Sequence, residues 1–300
     1  MTNADTDKLM REKSIKELLE FGIVNIDKSS GPTSFNISDF VRKKLNLRKT
    51  SHFGTLDPKV TGVLPIALNR ACKLTGYFLG ENKEYVGIMR FHEEISLEKI
   101  KEKIKEKFLG KILQTPPVKS RVKRQKRERE ILSFEILENQ GRDYLFKTEV
   151  QGGTYIRKLI DDLGKELGTG AHMLELRRIR AGIFKEDSLV NLYELEKAVC
   201  EYKSGSEENL RRIIMPAEII SEVYPIIQIK SDNLKSIFTG KSIYKKDILE
   251  DKGWKIGEIV CVFCEDKFIG MYKIFRGREI FAKPGFVMQP TGKQLLAKHL

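Results

Sequence analysis

The sequence is poor in cysteine, and this scarcity restricts the kind of protein it can encode. It contains only four cysteines, of which Cys261 and Cys264 alone lie close together. No second pair is available to complete a four-thiolate metal site, so the pattern favours reduced, buried thiols over a metal site. A framework of disulfides, typical of small secreted proteins, is not expected.

Long hydrophobic runs are also missing. The longest apolar run, Ile259 to Cys264, has six residues, whereas about 20 are needed to cross a bilayer. The first twenty residues alternate charged and apolar side chains and lack the continuous apolar segment of a secretory signal. These absences argue against a helical membrane protein, and by elimination we expect a cytoplasmic one.

Acidic residues are outnumbered by basic ones. The chain has 55 lysines and arginines against 42 aspartates and glutamates, a formal net charge of +13. Many basic residues fall into three clusters, namely Arg42, Lys43, Lys44, Arg48 and Lys49; Lys119, Arg121, Lys123, Arg124, Lys126, Arg127 and Arg129; and Arg177, Arg178 and Arg180. Three separated clusters fit the phosphate backbone of a nucleic acid better than one small ligand. Charge alone leaves open a basic protein without such a partner.

The common catalytic patterns are absent as well. There is no Ser-His-Asp order, no cluster of metal ligands and no glycine-rich phosphate loop. Asp57 is one of a sparse set of candidate groups, and Pro58 after it favours an extended backbone. An Asp-Pro pair in a loop is most often only a turn, so spacing alone does not choose Asp57 over the other candidates.

Local patterns predict a mixture of helices and strands. Residues 7–20 read as one amphipathic helix, and Thr33 or Ser34 can cap the next. Residues 47–61 are expected to form a loop. The basic stretch that ends at Glu130 is expected to be a loop or an exposed hairpin. Thr154 is expected to cap a helix that runs through about residue 167.

The composition changes near Glu222, where short strands separated by glycine-containing turns begin. We therefore predict a domain boundary at 221–224. Residues 1–20 would be an N-terminal extension and residues 21–221 a mixed α+β domain. Residues 224–300 would form a small domain resembling a β-barrel.

Four motifs occur in an order that identifies a family. They are Lys28 to Ser34, His52 to Pro65, Lys83-Glu84-Tyr85, and Gly153 to Arg157 with Gly170 to Met173 and Leu176-Arg177-Arg178. Together they closely resemble the motifs of the TruB/dyskerin family of pseudouridine synthases, over residues 21 to about 220. The chain departs from the family pattern at Ser29 and Ser30, which replace the usual prolines.

The resemblance implies both a fold and a reaction. The fold would be a mixed, largely antiparallel sheet with flanking helices, and the reaction the isomerisation of uridine to pseudouridine in RNA. No metal or cofactor is implied. Because the target base has to reach a pocket in the protein, the uridine would be flipped out of its helix or loop.

The resemblance also implies roles for single residues. Asp57 would be the catalytic nucleophile and attack either the uracil ring or the ribose C1′. Arg157 would pair with Asp57 and keep it charged and oriented. Tyr85 would stack on the target base, while Tyr155 and Leu176 would line the pocket.

Two further residues have alternative interpretations. His52 resembles the family's histidine that supports the flipped arrangement, although an ordinary polar loop residue is the alternative. Lys28 would either contact RNA or have a structural role in its turn, and the sequence does not decide between them.

The C-terminal part resembles a PUA domain, a small RNA-binding β-barrel. The resemblance depends on short stretches at 238–241, 257–260, 268–270 and 285–287, and Glu258 replaces a common aspartate. The segment from Gln114 to Arg124 resembles the archaeal and eukaryotic dyskerin branch, in which a mobile basic loop covers the RNA. Lys119, Arg121, Lys123 and Arg124 would therefore bind RNA.

This branch implies specific partners. Its members work in an H/ACA ribonucleoprotein with a guide RNA and small proteins to modify rRNA, and archaeal members also modify uridine 55 of tRNA without a guide. A non-catalytic RNA-binding scaffold of such a particle is the alternative function. A nuclease is a weaker alternative, because the clustered carboxylates or paired histidines it needs are not found.

Overall fold

The computed structural model describes residues 6–116, 123–251, 253–275 and 277–289. Within them the helices are α1 Thr6–Glu12, α2 Ile15–Glu20, α3 Ser34–Lys44, α4 Thr75–Leu79, α5 Leu97–Lys107, α6 Ile156–Glu166, α7 Leu192–Lys203, α8 Glu208–Ile213 and α9 Leu234–Phe238. The strands are β1 Gly22–Lys28, β2 Thr50–His52, β3 Thr61–Leu68, β4 Lys83–Phe91, β5 Gly110–Gln114, β6 Arg127–Gln140, β7 Asp143–Val150, β8 Ala171–Ala181, β9 Phe184–Lys185, β10 Met215–Pro216, β11 Ile226–Gln228, β12 Ile243–Tyr244, β13 Ile259–Cys264, β14 Lys267–Ile274 and β15 Ile280–Val287.

The chain forms two compact units. The larger unit is Ile15–Ile214, and the smaller comprises the described parts of Met1–Ser14 and Met215–Leu300. The domain boundary expected at 221–224 stays a prediction. The two compact units meet in the sequence slightly earlier, between Ile214 and Met215. In the described part of the chain, no helix combines the length and the apolar character needed to cross a bilayer.

A mixed sheet organises the larger unit. Its strand order is β1-β3-β8-β4-β7-β6-β5, with β2 paired to β3 and β9 paired to β8. Neighbours are antiparallel except β3 and β8, which run parallel where Thr61 lies beside Arg177 and Gly62 beside Arg178. The predicted α+β fold with a largely antiparallel sheet is therefore confirmed.

The core of this unit lies between the sheet and its helices. Alternate residues of β4 are buried, as the period of two of a strand requires. Met89 and Phe91 of this buried face share one core with Leu159, Ile160 and Leu163 of α6. Full burial of each such side chain contributes about 1.5–3 kcal/mol, so the sheet is a rigid base for the loops at its edge.

Two predictions about helix starts have different outcomes. Thr33 caps α3, since its hydroxyl accepts the Asn36 N–H while the Asn36 side chain accepts the Thr33 N–H. The expectation that Thr154 caps the later helix is wrong, because Tyr155 holds the N-cap position of α6. The Thr154 hydroxyl is engaged in the preceding turn, where it donates to the Gln151 carbonyl.

Two other expectations about local structure are wrong, and a third agrees with the structure in one of its two alternatives. Residues 7–20 form two helices, because α1 belongs to the smaller unit and α2 buries Ile15 and Leu18 in the larger. The segment 47–61 contains β2, since Thr50 to His52 pair with β3. The basic stretch is expected to be a loop or an exposed hairpin. Its end, from Arg127, belongs to β6 and pairs antiparallel with β5, in agreement with the hairpin.

The smaller unit contains a five-stranded sheet of order β11-β13-β14-β15-β12, parallel only between β11 and β13. Cys261 and Cys264 both lie buried in β13 as free thiols, as predicted. Burial raises the pKa of the Cys261 thiol to about 12. The Cys261 Sγ lies 3.6 Å from the Met271 Sδ, so this thiol is part of the core.

Candidate active site

The loop that carries Asp57 connects β2 to β3 and is fixed by three buried side chains. Phe53 stacks on Phe78, with ring centroids 4.5 Å apart. Leu56 and Val60 are 3% exposed. Between these apolar anchors, the Asp57 side chain is 46% exposed. The three buried side chains thus fix the loop, while the Asp57 carboxylate remains accessible to solvent.

Two buried cations hold the backbone of this loop from both sides. The Lys28 Nζ donates to the Pro58 carbonyl at 2.9 Å and to the Val60 carbonyl at 2.8 Å. The Arg178 guanidinium donates from Nε to the Val63 carbonyl at 2.8 Å and from Nη2 to the Gly54 carbonyl at 3.0 Å. The acceptor carbonyls lie on both sides of Asp57 in the sequence, so both halves of the loop are fixed.

The burial of Lys28 bears on its expected role. Its side chain is fully buried, and its Nζ also donates to the Ser29 carbonyl at 3.0 Å. Burial lowers the pKa of Lys28, and the nearby Asp57 carboxylate opposes that shift. An ammonium group engaged by three carbonyls favours the structural alternative over a contact with RNA.

Glycines are required where the loop meets β8. Gly62 has φ +97°, and a Cβ at this position would lie 2.2 Å from the Arg178 carbonyl oxygen. Gly54 has φ +110°, with the Arg178 Nη1 only 3.3 Å from its hypothetical Cβ. Both positions combine a left-handed backbone with a close neighbour, so side chains larger than glycine do not fit there.

The start of α3 is bound to the same loop. The Ser34 Oγ accepts the Leu56 N–H at 2.8 Å and donates to the Leu56 carbonyl at 3.0 Å. The Gly31 N–H donates to the Pro58 carbonyl at 2.9 Å. The first and second sequence motifs therefore form one hydrogen-bonded assembly around Asp57.

Asp57 forms an ion pair with Arg157, as the resemblance implies. The Arg157 Nη2 lies 2.8 Å from the Asp57 Oδ2, and the two side chains are 52% and 46% exposed. Arg157 is the second residue of α6. An exposed ion pair contributes at most about 1 kcal/mol to stability. Its main physical effect here is to orient a carboxylate that remains accessible.

Tyr85 and Leu176 lie beside each other on adjacent strands. Gly87 of β4 pairs with Leu176 of β8, two residues along the strand from Tyr85. A Cβ on Gly87 would lie 2.8 Å from the Leu176 Cδ1, so the glycine leaves room for the leucine. Tyr85 is 8% and Leu176 7% exposed. Both belong to the apolar core on this face of the sheet, with Leu176 diagonal to Tyr85.

Tyr155 is fixed by a glutamine that sequence reasoning did not select. The Gln114 Oε1 accepts the Tyr155 N–H at 2.8 Å, and its Nε2 donates to the Tyr155 carbonyl at 3.1 Å. Gln114 is buried at the end of β5. Because Tyr155 is the N-cap of α6, these two bonds position the helix that carries Arg157. A single glutamine before Thr-Pro-Pro gives no sequence signal for this role.

His52 and Lys83 lie close to the Arg178 guanidinium. Burial and the charge of Arg178 lower the pKa of His52, so its imidazole is neutral at neutral pH. Lys83 is 4% exposed and donates to the Leu79 and Glu81 carbonyls. Burial, then Arg178, lowers the pKa of Lys83 to about 8.

The expectation that all three basic clusters face a phosphate backbone needs correction. In the third cluster Arg178 is 1% exposed. Arg177 pairs with Asp27 and Glu186, and Arg180 with Glu84 and Glu149. These carboxylates neutralise much of the cluster within the protein, and they could not be paired with the arginines from the sequence.

The first cluster, from Arg42 to Lys49, is partly neutralised in the same way. Arg42 and Lys43 pair with Asp39, Lys44 pairs with Glu196, and Arg48 pairs with Glu20. In the second cluster, from Lys119 to Arg129, Lys123 and Arg124 are exposed. The other two predicted RNA-binding residues, Lys119 and Arg121, lie outside the described residues.

Comparison with protein families gives two adjoining matches. Residues 42–156 match the TruB family pseudouridylate synthase N-terminal domain. Residues 157–221 match the tRNA pseudouridylate synthase B C-terminal domain. Together they cover more than half of the chain and include Asp57, Tyr85 and Arg157.

Individual proteins and structures are similar over most of the chain. It is 44% identical to the probable tRNA pseudouridine synthase B of Methanocaldococcus jannaschii, over 87% of this chain and 78% of that protein. It is 41% identical to the protein of that name from Pyrococcus furiosus, over 91% and 81%. A crystal structure of a Cbf5-Nop10-Gar1 complex matches with a TM-score of 0.86 at 38% identity, over 93% and 89%. An H/ACA ribonucleoprotein bound to a substrate RNA containing 2′-deoxyuridine matches with a TM-score of 0.84 at 35% identity, over 94% and 89%.

Proposed function

Because the chain belongs to the TruB family of pseudouridylate synthases, we propose that Asp57 is the nucleophile of its reaction. The observation that carries the proposal is the ion pair between Asp57 and Arg157 at 2.8 Å, with both side chains about half exposed. An ionised carboxylate is a competent nucleophile when it is correctly placed. Here the loop backbone is held by buried donors, and the carboxylate is left accessible.

The proposed reaction is an internal rearrangement of one nucleotide. Asp57 attacks either the uracil ring or the ribose C1′, and the bond between N1 and C1′ breaks. The base rotates, C5 bonds to C1′, and the bond to Asp57 breaks, which returns its electron pair to the carboxylate. The proton on C5 is lost while N1 gains one. Arg157 directs the carboxylate at its target. The net change is an isomerisation.

We propose that the flipped uracil lies against the apolar side chains of Tyr85 and Leu176. An aromatic ring at that position supplies the stacking that a base loses when it leaves its helix. Tyr155, whose main chain is held by Gln114, would line the same pocket. The neutral His52 would support the flipped arrangement of the RNA from the far side of the loop.

We propose RNA as the substrate, with two kinds of client. The relatives named as probable tRNA pseudouridine synthases support tRNA as one client. The uridine modified there would be uridine 55. The similarity to structures of H/ACA particles supports guide-directed modification of rRNA together with small H/ACA proteins. Both reactions would take place in the cytoplasm, where we expect this protein.

Domain roles follow from the same proposal. Residues 21–221 would be the catalytic domain, residues 1–20 an extension and residues 224–300 a PUA domain that binds RNA. Lys119, Arg121, Lys123 and Arg124 would contact the RNA backbone. Each such contact would release counterions, so binding would weaken steeply as salt rises.

The test compares Asp57→Asn with the wild-type chain on a tRNA transcript, with pseudouridine as the readout. The substitution removes the nucleophile but keeps the size of the side chain, so we expect at least a ~1000-fold loss of rate. Asp187→Asn, at an exposed carboxylate of the same unit, is the control and should remain active. Wild-type rates in Asp57→Asn would contradict the assignment.

A second comparison separates the two clients and the scaffold alternative. The wild-type chain is assayed on tRNA transcript alone and on a target with guide RNA and H/ACA partner proteins. Product with tRNA alone supports the guide-independent reaction, whereas product only in the assembled particle supports the guided one. Absence of product under both conditions would favour a non-catalytic scaffold.

A further inference from the structure

An aromatic side chain stands exposed beside the active-site loop. Phe35, the second residue of α3, is 72% exposed. Burial of a phenylalanine side chain would stabilise a protein by about 2 kcal/mol, and the exposed ring does not contribute this free energy. Neither the proposed nucleophile nor the base pocket uses this ring.

The position of Phe35 is fixed by hydrogen bonds on both sides. Ser34 before it makes two hydrogen bonds to the main chain of Leu56, the residue that precedes Asp57. Asn36 after it completes the capping box with Thr33. The backbone of Phe35 is therefore held next to the Asp57 loop and does not need RNA to bring it there.

The surroundings of the ring suit a nucleic acid strand. Pro58 and Lys59, which follow Asp57, are both exposed. The Pro58 carbonyl accepts the Gly31 N–H, so Lys59 follows a residue bonded to the turn before α3. An exposed lysine and an exposed aromatic ring on bonded segments match a nucleotide, because the phosphate is attracted to the ammonium group and the base stacks on the ring. The occupant that fits is therefore a single-stranded or unstacked nucleotide.

Base flipping supplies the reason for such a platform. When the target uridine leaves its stack, the neighbouring base loses one of its stacking partners. We propose that Phe35 stacks on a nucleobase adjacent to the target uridine and so positions the RNA strand while the uridine occupies the pocket. This inference rests on the proposed function of the Asp57 site. Phe35 would be a positioning residue and take no part in the bond changes.

The chain offers a closely matched control in Tyr193. This residue is also the second residue of a helix with a capping box, formed by Asn191 and Glu194, and it is 75% exposed. The segment before α7 is hydrogen-bonded to β1. The Val190 N–H donates to the Asn25 carbonyl, and the Val190 carbonyl accepts the Asp27 N–H. Tyr193 thus has the local structure and exposure of Phe35 without the bonds to Leu56.

The first experiment measures KM and kcat of the full-length chain on an RNA that wild type converts. Phe35→Ala should raise KM about 5- to 30-fold, which corresponds to the loss of one base–aromatic stack, with kcat within about twofold. Phe35→Trp should retain a wild-type KM. Phe35→Leu should resemble Phe35→Ala, because leucine is apolar but has no ring. Tyr193→Ala should have no effect.

The second experiment removes the base instead of the ring. Substrates with an abasic site on the 5′ or the 3′ side of the target uridine are compared with the intact RNA. If the ring stacks on that base, wild type and Phe35→Ala should have equal KM values on one of the two abasic substrates. A purely structural role of Phe35 would leave the gap in KM unchanged on both.

Several results would overturn the inference. The first two are a wild-type KM for Phe35→Ala and a wild-type KM for Phe35→Leu. The others are an increase in KM for Tyr193→Ala equal to that for Phe35→Ala, and a difference in KM between wild type and Phe35→Ala that persists on both abasic RNAs. Failure of the proposed function looks different, because wild type would then form no pseudouridine or Asp57→Asn would remain active. The two ideas can therefore fail separately.

Discussion

Charged groups in the active-site region occur in two different settings. Asp57 and Arg157 form an ion pair in which each side chain is about half exposed. Beneath them Lys28, Lys83 and Arg178 are at most 4% exposed, and their hydrogen bonds go to main-chain carbonyls. The first setting presents charge to a ligand, whereas the second uses charge to hold backbone.

This difference separates reactivity from support. Solvent screens an exposed pair, so its members contribute little to stability and remain available to substrate. A buried cation has lost its hydration, and removing its side chain leaves buried carbonyls without donors. We therefore expect substitutions in the exposed pair to reduce activity at nearly constant stability. Substitutions of the buried cations should mainly reduce the free energy of unfolding.

Among the substitutions that test this difference, Arg157→Met is predicted to have the largest effect. Loss of the guanidinium removes the group that orients Asp57, so we expect kcat to fall about 100- to 1000-fold. The free energy of unfolding should change by less than about 1 kcal/mol, because the pair is exposed. Single-turnover assays and urea unfolding measure the two quantities.

Arg90→Met is the matched control for that prediction. Arg90 forms a two-pronged ion pair with Asp143 at 2.5 and 2.6 Å and is 43% exposed. Arg90 lies near the end of β4, outside the Asp57 loop, so its loss should leave kcat unchanged. Equal losses in both variants would show that exposed ion pairs in general support activity, and the distinction between the two settings would fail.

Arg178→Met is predicted to reduce activity less than Arg157→Met does, and to reduce stability more. The variant leaves the Gly54 and Val63 carbonyls without their donors. We expect a loss of about 3 kcal/mol in the free energy of unfolding. Urea unfolding monitored by circular dichroism measures it, with Arg42→Met as the surface control. A loss below about 1 kcal/mol would contradict the supporting role of the buried cation.

The contrast between the two settings also explains what could be predicted from the sequence. Asp57, Tyr85 and Arg157 lie in motifs whose order identifies the family, so their association could be expected from resemblance. The capping residue Thr33 is a local signal, and it led to a correct prediction. Local signals suffice where neighbours in the chain are also neighbours in space.

The supporting residues could not be predicted in this way. Arg178 looks like part of a basic patch, and only the pairing of β3 with β8 buries it beneath Gly54. Gln114 looks like a surface residue, and only folding brings it to Tyr155. The acids that neutralise Arg177 and Arg180 likewise come from distant segments. Long-range pairing determines these roles, and composition does not reveal it.

The smallest effect is predicted for the pH dependence that Lys83 gives to stability. The pKa of this lysine is about 8 in the folded chain, against 10.5 as its ordinary value. Between these pH values the unfolded chain binds the extra proton, so stability should rise as pH increases from 8 towards 10.5. Over pH 8 to 10 we expect wild type to gain about 2 kcal/mol relative to Lys83→Met, which cannot titrate. Urea unfolding of both proteins at several pH values measures the gain, and parallel profiles would show that Lys83 is not a buried cation of the supporting kind.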